Sequence, residues 1–257
     1  MELNAKNYYQ PSPYMSASQF KAFLGCEAAA LAEEERTYQR EESRALIQGQ
    51  YVDAYFTGDL DQFRGEHPEL FKKGGELKQT YEVCENAIAR LEKSPTALEY
   101  LKGDKQVIVT GEILGVPCKG KLDVLNLDAG RIVDLKCMRD FLPVWKDGER
   151  LDFIRAWGYD IQAYFYTELV RQQYGKDLPF YILAVTKEAS PDLLLVEIPD
   201  WLINSAGEVV KHFITRFDGI KKHEIQPKRC KKCAYCKETK IIEKPMAYED
   251  YLKEVML

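Results

Sequence analysis

The segment from Lys105 to Met138 constrains the fold more than any other part of the 257-residue chain. Gln106–Leu114, Cys118–Leu127 and Arg131–Met138 read as β-strands, with turns at Gly115-Val116-Pro117 and Asp128-Ala129-Gly130. Such short connections predict a meander of adjacent antiparallel strands, because parallel neighbours need a long crossover. Two further strands are expected at Phe180–Thr186 and Leu193–Ile198. Helical periodicity surrounds this set. Ser16-x-x-Gln19 is a capping box opening a first helix, with Phe20, Phe23, Leu24 and Leu31 as its buried stripe and Gly25 and Cys26 midway. A second helix is expected over Glu41–Phe56, and a third from Gln79 to Ala89 or beyond, interrupted or ended by Pro95. Others are expected over Ala156–Tyr174, with Trp157, Ile161, Tyr164, Phe165 and Leu169 on the apolar side, over Asp200–Lys222, and near Tyr248–Val255. The fold class is therefore α/β: a central mixed sheet flanked by helices. One domain is expected over 1–257, with a helical part (1–104), a catalytic core (105–199), and a C-terminal helix and cysteine-rich tail (200–257).

The meander carries unusual charges. Side chains alternate along a strand, so Asp134 and Lys136 project from one face, and a paired neighbour brings Asp123 within reach. Two acids beside one lysine, among Val124, Leu125, Ile132 and Val133, are costly to bury without a partner. A hard divalent cation, Mg²⁺ or Mn²⁺, is the natural one. It would bind a phosphate oxygen and lower the pKa of a water, while the lysine orients that water or offsets charge in the transition state. A bare D-x-K is common and usually marks a salt-bridged hairpin. Here it follows Gly120-x-x-Asp123 and an earlier strand with Glu112, and precedes a helix carrying Gln162 and Tyr166.

This ordered set, Glu112, Gly120-x-x-Asp123, Asp134-x-Lys136 and Gln162-x3-Tyr166, resembles the RecB-type branch of the PD-(D/E)xK nucleases. Within that branch it is most similar to the phage and prophage RecE-like exonucleases, over Ser16 to Cys236. The resemblance implies a restriction-endonuclease-like core and Mg²⁺- or Mn²⁺-dependent hydrolysis of DNA. It implies metal ligation by Asp123, Asp134 and the carbonyl of Leu135, catalytic roles for Lys136 and Glu112, and DNA-backbone contacts from Gln162 and Tyr166. It also implies action on double-stranded DNA ends in phage-type recombination or repair, a homo-oligomeric ring threaded by DNA, and a single-strand annealing protein as partner. The chain departs from the pattern at two points. Asp134 stands where many relatives carry glutamate, and Gly49-x3-Asp53 replaces a G-x3-H pattern, leaving Asp53 as a metal ligand or as a helix-capping or salt-bridge residue.

Cys230, Cys233 and Cys236 form a C-x2-C-x2-C run, too dense for chance core packing. With Cys26 as fourth ligand they suit a [4Fe–4S] cluster, a Zn²⁺ ion, or free thiols, and His212 and His223 are alternative fourth ligands. Several RecB-type nucleases staple the N-terminal helix to the tail with one early and three late cysteines. That resemblance implies the same here, although the last spacing in those proteins is usually longer.

The net charge of −5 argues against a DNA binder held by its overall field. Positive charge instead crowds Lys221 to Lys240. The chain shows no apolar run of membrane-spanning length and no signal-peptide core near Met1–Met15, so no membrane association and a cytoplasmic location are expected. Three functions follow: a DNA exonuclease; an endonuclease such as a junction resolvase or restriction-type enzyme; and a non-catalytic nucleic-acid-binding module with a structural metal.

Overall fold

The structure, a computed structural model, describes residues 3–146, 148–242 and 244–255. Its strands are β1 (Met15–Ser16), β2 (Asp104–Ile113), β3 (Val116–Asn126), β4 (Arg131–Met138), β5 (Val144–Lys146), β6 (Glu149–Leu151), β7 (Phe180–Thr186) and β8 (Leu193–Ile198). The helices are α1 (Ala17–Gly25), α2 (Glu27–Glu34), α3 (Arg44–Thr57), α4 (Leu60–Glu66), α5 (Gln79–Glu92), α6 (Pro95–Tyr100), α7 (Phe153–Ala156), α8 (Tyr159–Tyr174), α9 (Asp200–Lys221), α10 (Ala234–Glu238) and α11 (Tyr248–Val255). No helix among the described residues is long and apolar enough to cross a membrane.

The expected meander is present: β2 pairs β3 and β3 pairs β4, both antiparallel. The first turn is tighter than the sequence suggested. It is Leu114–Gly115, with φ of 50° and 76°, so Pro117 lies inside β3. Both φ values are positive, as the twist of a two-residue hairpin demands. Beyond the meander, β4 pairs β7 in parallel and β7 pairs β8 antiparallel, giving the mixed sheet.

Strand β3 is the pivot. One edge pairs with β2, while the other is shared by β1 at Cys118–Lys119 and by β4 at Val124–Asn126. Between these two partners, β3 and β4 part. The ladder to β2 also skips a pair, since Lys105 meets Val124 and Val107 meets Leu122, leaving Gln106 at φ 53° opposite Asp123. Inner-face packing passes from Val116, Cys118 and Leu122 to Leu125, so the alternation inverts at Asp123. Irregularities of this kind re-aim one side chain beside active sites.

Helices α1, α8 and α9 cover one sheet face, around Phe20, Phe165, Phe180 and Phe217. Helices α3 and α5 cover the other, around Tyr51, Ile88, Val133 and Leu183. Both cores draw on the same strands.

Several local expectations need correction. The first helix is broken at Cys26, whose extended backbone (φ −165°) separates α1 from α2, and Leu24 is exposed. The third helix does stop short of Pro95, at Glu92, and Pro95 opens α6, where its missing N–H costs nothing. Trp157 lies in the turn before α8 and is exposed. The β5–β6 hairpin falls in a segment too polar to announce strands.

Candidate active site

The gap between β3 and β4 collects the charged residues. Asp123 spans it: its Oδ2 accepts the backbone N–H of Leu135 at 2.9 Å, replacing the ladder bond that the diverging strands no longer make. The N–H and C=O of one strand residue leave by the same edge, so the Leu135 carbonyl faces the same gap. It is approached by the Lys136 ammonium at 3.5 Å.

Asp134 is buried, at 1% exposure. Its Oδ1 accepts from the Gln162 amide of α8 at 2.8 Å. Its Oδ2 lies against the Lys136 ammonium, but among the described residues no donor meets it with hydrogen-bond geometry. From the opposite sheet face, α3 contributes Asp53 in mid-helix, where it does not cap the helix and, among the described residues, makes no hydrogen bond or ion pair. Asp53 and Asp123 line one small pocket with Lys105, Val124 and Leu135.

The charges reinforce this picture. Burial raises Asp123 well above the usual carboxylate range, and the charges of Asp134 and Asp53 add to the effect. Burial likewise pushes Asp53 up to about 7, with Lys136 opposing and Asp134 adding. For Lys136 burial works against the charge, but Asp134 and Asp123 outweigh it and hold the amine protonated. Three crowded carboxylates facing one ammonium suit a divalent cation. The Oδ2 of Asp134, ion-paired but without a hydrogen bond, and the carbonyl of Leu135 aimed into the gap are donors of the right kind, and Asp123 and Asp53 complete a hard-oxygen set. Here the carboxylates are not drawn as tightly together as the cysteines described below.

Two expected site residues lie elsewhere. Glu112 pairs with Pro117, six residues along β3 from Asp123, a separation of roughly 20 Å. It is exposed, and its backbone is held by Gln172 of α8. Tyr166 points into the core rather than to the surface. It is 8% exposed, and its hydroxyl donates to the Lys121 carbonyl at 3.0 Å. Its ring packs beneath Gly120, where an added Cβ would sit 3.0 Å from two ring carbons. The glycine of Gly120-x-x-Asp123 is thus required by the tyrosine of Gln162-x3-Tyr166. Gln162, for its part, spends its amide on Asp134. The pair positions the acids.

The sequence matches, over residues 16–239, the family described as "PDDEXK-like domain of unknown function (DUF3799)". The chain belongs to this family. Among solved structures it is similar to the crystal structure of a "Putative exonuclease" from Eubacterium rectale, at 38% identity and a TM-score of 0.92, covering 98% of each chain. No curated protein sequence matches it.

This PDDEXK-like chain carries a second ligand set. The sulfurs of Cys26, Cys230, Cys233 and Cys236 all lie within 4.8 Å of one another and can hold a metal ion. Cys26 and Cys236 are 3.5 Å apart, and Cys230 and Cys236 3.9 Å. Backbone N–H groups of Cys233 and Cys236 point at the sulfurs of Cys230 and Cys233, at 3.3 and 3.4 Å. The tail is docked by Glu27, at the first turn of α2, which accepts two bonds from Arg216 at 2.8 Å each and the N–H of Lys228 at 2.6 Å. His212 and His223 lie outside this group: His212 meets Phe213 edge-on, and His223 lies 3.4 Å from Glu35.

Proposed function

We propose that the protein is a Mg²⁺- or Mn²⁺-dependent deoxyribonuclease that hydrolyses double-stranded DNA from free ends. The carrying observation is the convergence of Asp53, Asp123, Asp134 and Lys136 at the parting of β3 and β4. Asp123, Asp134, the Leu135 carbonyl and Asp53 would hold the cation. When bound, it supplies Lewis-acid stabilisation of the phosphate and acidifies water. Lys136 stays charged and offsets the charge growing on the phosphate oxygens. Gln162 fixes the Asp134 carboxylate, and burial of the site from both sheet faces keeps its electrostatics strong. The name of the Eubacterium rectale structure supports the exonuclease reading over the endonuclease one. A ring threaded by DNA and a role in phage-type recombination beside an annealing protein extend the same reading from the RecE-like resemblance.

The cysteines supply a structural staple between α2 and the tail. A Zn–S bond of about 2.3 Å places the sulfurs of a tetrahedral site about 3.8 Å apart. Sulfurs that all lie within 4.8 Å of one another fit a single zinc ion more closely than the wider cage of a [4Fe–4S] cluster. Metal analysis of anaerobically purified protein decides between them.

The function is tested by incubating the purified protein with linear and with covalently closed circular DNA, with Mg²⁺ or with EDTA. Shortening of linear DNA alone, and only with Mg²⁺, is expected. Equal nicking of circles would replace exonuclease by endonuclease, and no cleavage of either would overturn the nuclease reading.

A further inference from the structure

Lys21 of α1 is a cation at this site that the chemistry above does not use. Its ammonium donates to the carbonyl of Trp157 at 3.3 Å and lies 5.5 Å from the Tyr159 ring centroid. The Lys136 ammonium lies 5.2 Å from the same centroid, so both amines gather at one ring. Lys146, on the β5–β6 hairpin, donates to the carbonyl of Ala156 at 2.8 Å. Among the described residues, neither Lys21 nor Lys146 has a carboxylate within 4.0 Å. Asp134 and Asp160 act on Lys21 only from farther away, and Asp160 is occupied in capping the N–H of Ile161.

The turn 156–158 is shaped around these amines. The successive carbonyls of Ala156 and Trp157 each take one of them, and Gly158 leaves room for the Lys21 stem. Gly158 is left-handed at φ 63°, and a Cβ there would sit 2.7 Å from Lys21 Cδ. Burial and the like charge of Lys136 bring Lys21 down to about 8, so its charge is held at a cost. A part-buried ammonium held by one carbonyl and one ring face, with a second amine nearby and its acids only at a distance, is stabilised by an arriving anion.

We propose that Lys21, with Lys146 beside it, binds a phosphate of the substrate strand neighbouring the one that faces Lys136. This rests on the nuclease reading for the identity of the substrate. The two amines at the Tyr159 ring then hold one strand in register across the Asp123–Asp134 gap.

The test measures equilibrium binding of a short blunt DNA duplex in EDTA, across a series of NaCl concentrations, for the wild type and for Lys21→Met, Lys21→Arg and Lys146→Met. For Lys21→Met, affinity should fall roughly tenfold and the log–log salt slope should shrink by about 1. Lys21→Arg should restore most of both, and Lys146→Met should move both the same way by less. Duplexes with a 5′-phosphate or a 5′-hydroxyl separate the sources. A loss seen only with the 5′-phosphate assigns Lys21 to the terminal phosphate, and an equal loss on both assigns it to an internal one. Folded Lys21→Met protein with unchanged affinity and slope would overturn the proposal, as would a weakening that leaves the slope untouched. If wild-type protein binds DNA through Lys21 yet never cuts it, the nuclease reading fails and the phosphate site stands.

Discussion

Gly120→Ala should disturb the site from beneath. The new Cβ would lie 3.0 Å from Cδ1 and Cε1 of Tyr166 and 3.2 Å from Cγ2 of Val109, where carbon atoms rest at about 3.5–4.0 Å. The ring has little room to retreat. It is 8% exposed, packs 6.2 Å from the Phe180 centroid, and is tethered by its hydroxyl to the Lys121 carbonyl. Relief therefore requires α8 to lift from β3 by a few tenths of an ångström. Overpacking of this kind costs about 1–3 kcal/mol, and for a chain of this size each kcal/mol lowers Tm by about 2–4 °C. A drop of roughly 2–12 °C is expected. The lift also moves Gln162, one turn earlier on α8, and with it Asp134. Small displacements of reacting groups carry large rate penalties, so cleavage should fall tenfold or more, beyond what lost stability explains. Thermal melting and single-turnover cleavage measure the two effects. Tyr166→Leu in the same chain should recover about 1 kcal/mol of the loss as a coupling energy. A Gly120→Ala protein that melts within about 1 °C of wild type and cuts at the same rate would refute the proposed lock between α8 and β3.

Glu27→Ala should destabilise by about 2 kcal/mol or more and lower the metal content of the tail, because it strips Arg216 and Lys228 of their shared acceptor; melting with metal analysis checks this. Cys26→Ser should lose tail metal while leaving DNA cleavage within a few-fold, as read by elemental analysis and rate. In metal-free protein, folding takes up a proton on Asp53, since its carboxyl sits near 7 when folded and near the ordinary 3.8 when unfolded. That group's contribution to stability therefore falls as pH rises from about 4 to 7. Asp53→Asn should flatten the slope and be relatively more stable at pH 8, on the order of one to a few kcal/mol by denaturant melts. Glu112→Gln should leave cleavage unchanged, and a large loss would return that residue to the site.

Much of this was legible in the chain. Strands β7 and β8 match the expected ranges because short apolar runs bounded by charge and proline admit few other readings. The meeting of Asp123 with Asp134 and Lys136 followed from a turn too short to permit another register. What was not legible depended on distant packing. Nothing local distinguishes Lys21, whose partner carbonyl lies 136 residues away. The inversion at Asp123 arises from Gln106 across the sheet. The place of Glu112 depends on the turn: a loop of Gly115-Val116-Pro117 would set it opposite Gly120, whereas the tighter Leu114–Gly115 turn sets it opposite Pro117, farther from Asp123. A surface role for Tyr166 rests on the family resemblance alone, since an aromatic one helical turn after Gln162 equally suits packing. Its need for Gly120 appears only when helix and strand are stacked.

Calorimetric titration of Mn²⁺ into wild-type, Asp123→Asn and Asp134→Asn proteins, each also assayed for cleavage of linear duplex DNA, addresses the carboxylate site most directly. Wild type should bind the ion and cut. Each variant should lose at least tenfold in affinity and a hundredfold or more in rate while keeping its fold. Variants that bind Mn²⁺ as tightly as wild type and cut as fast would show that the gap between β3 and β4 is not where the metal acts.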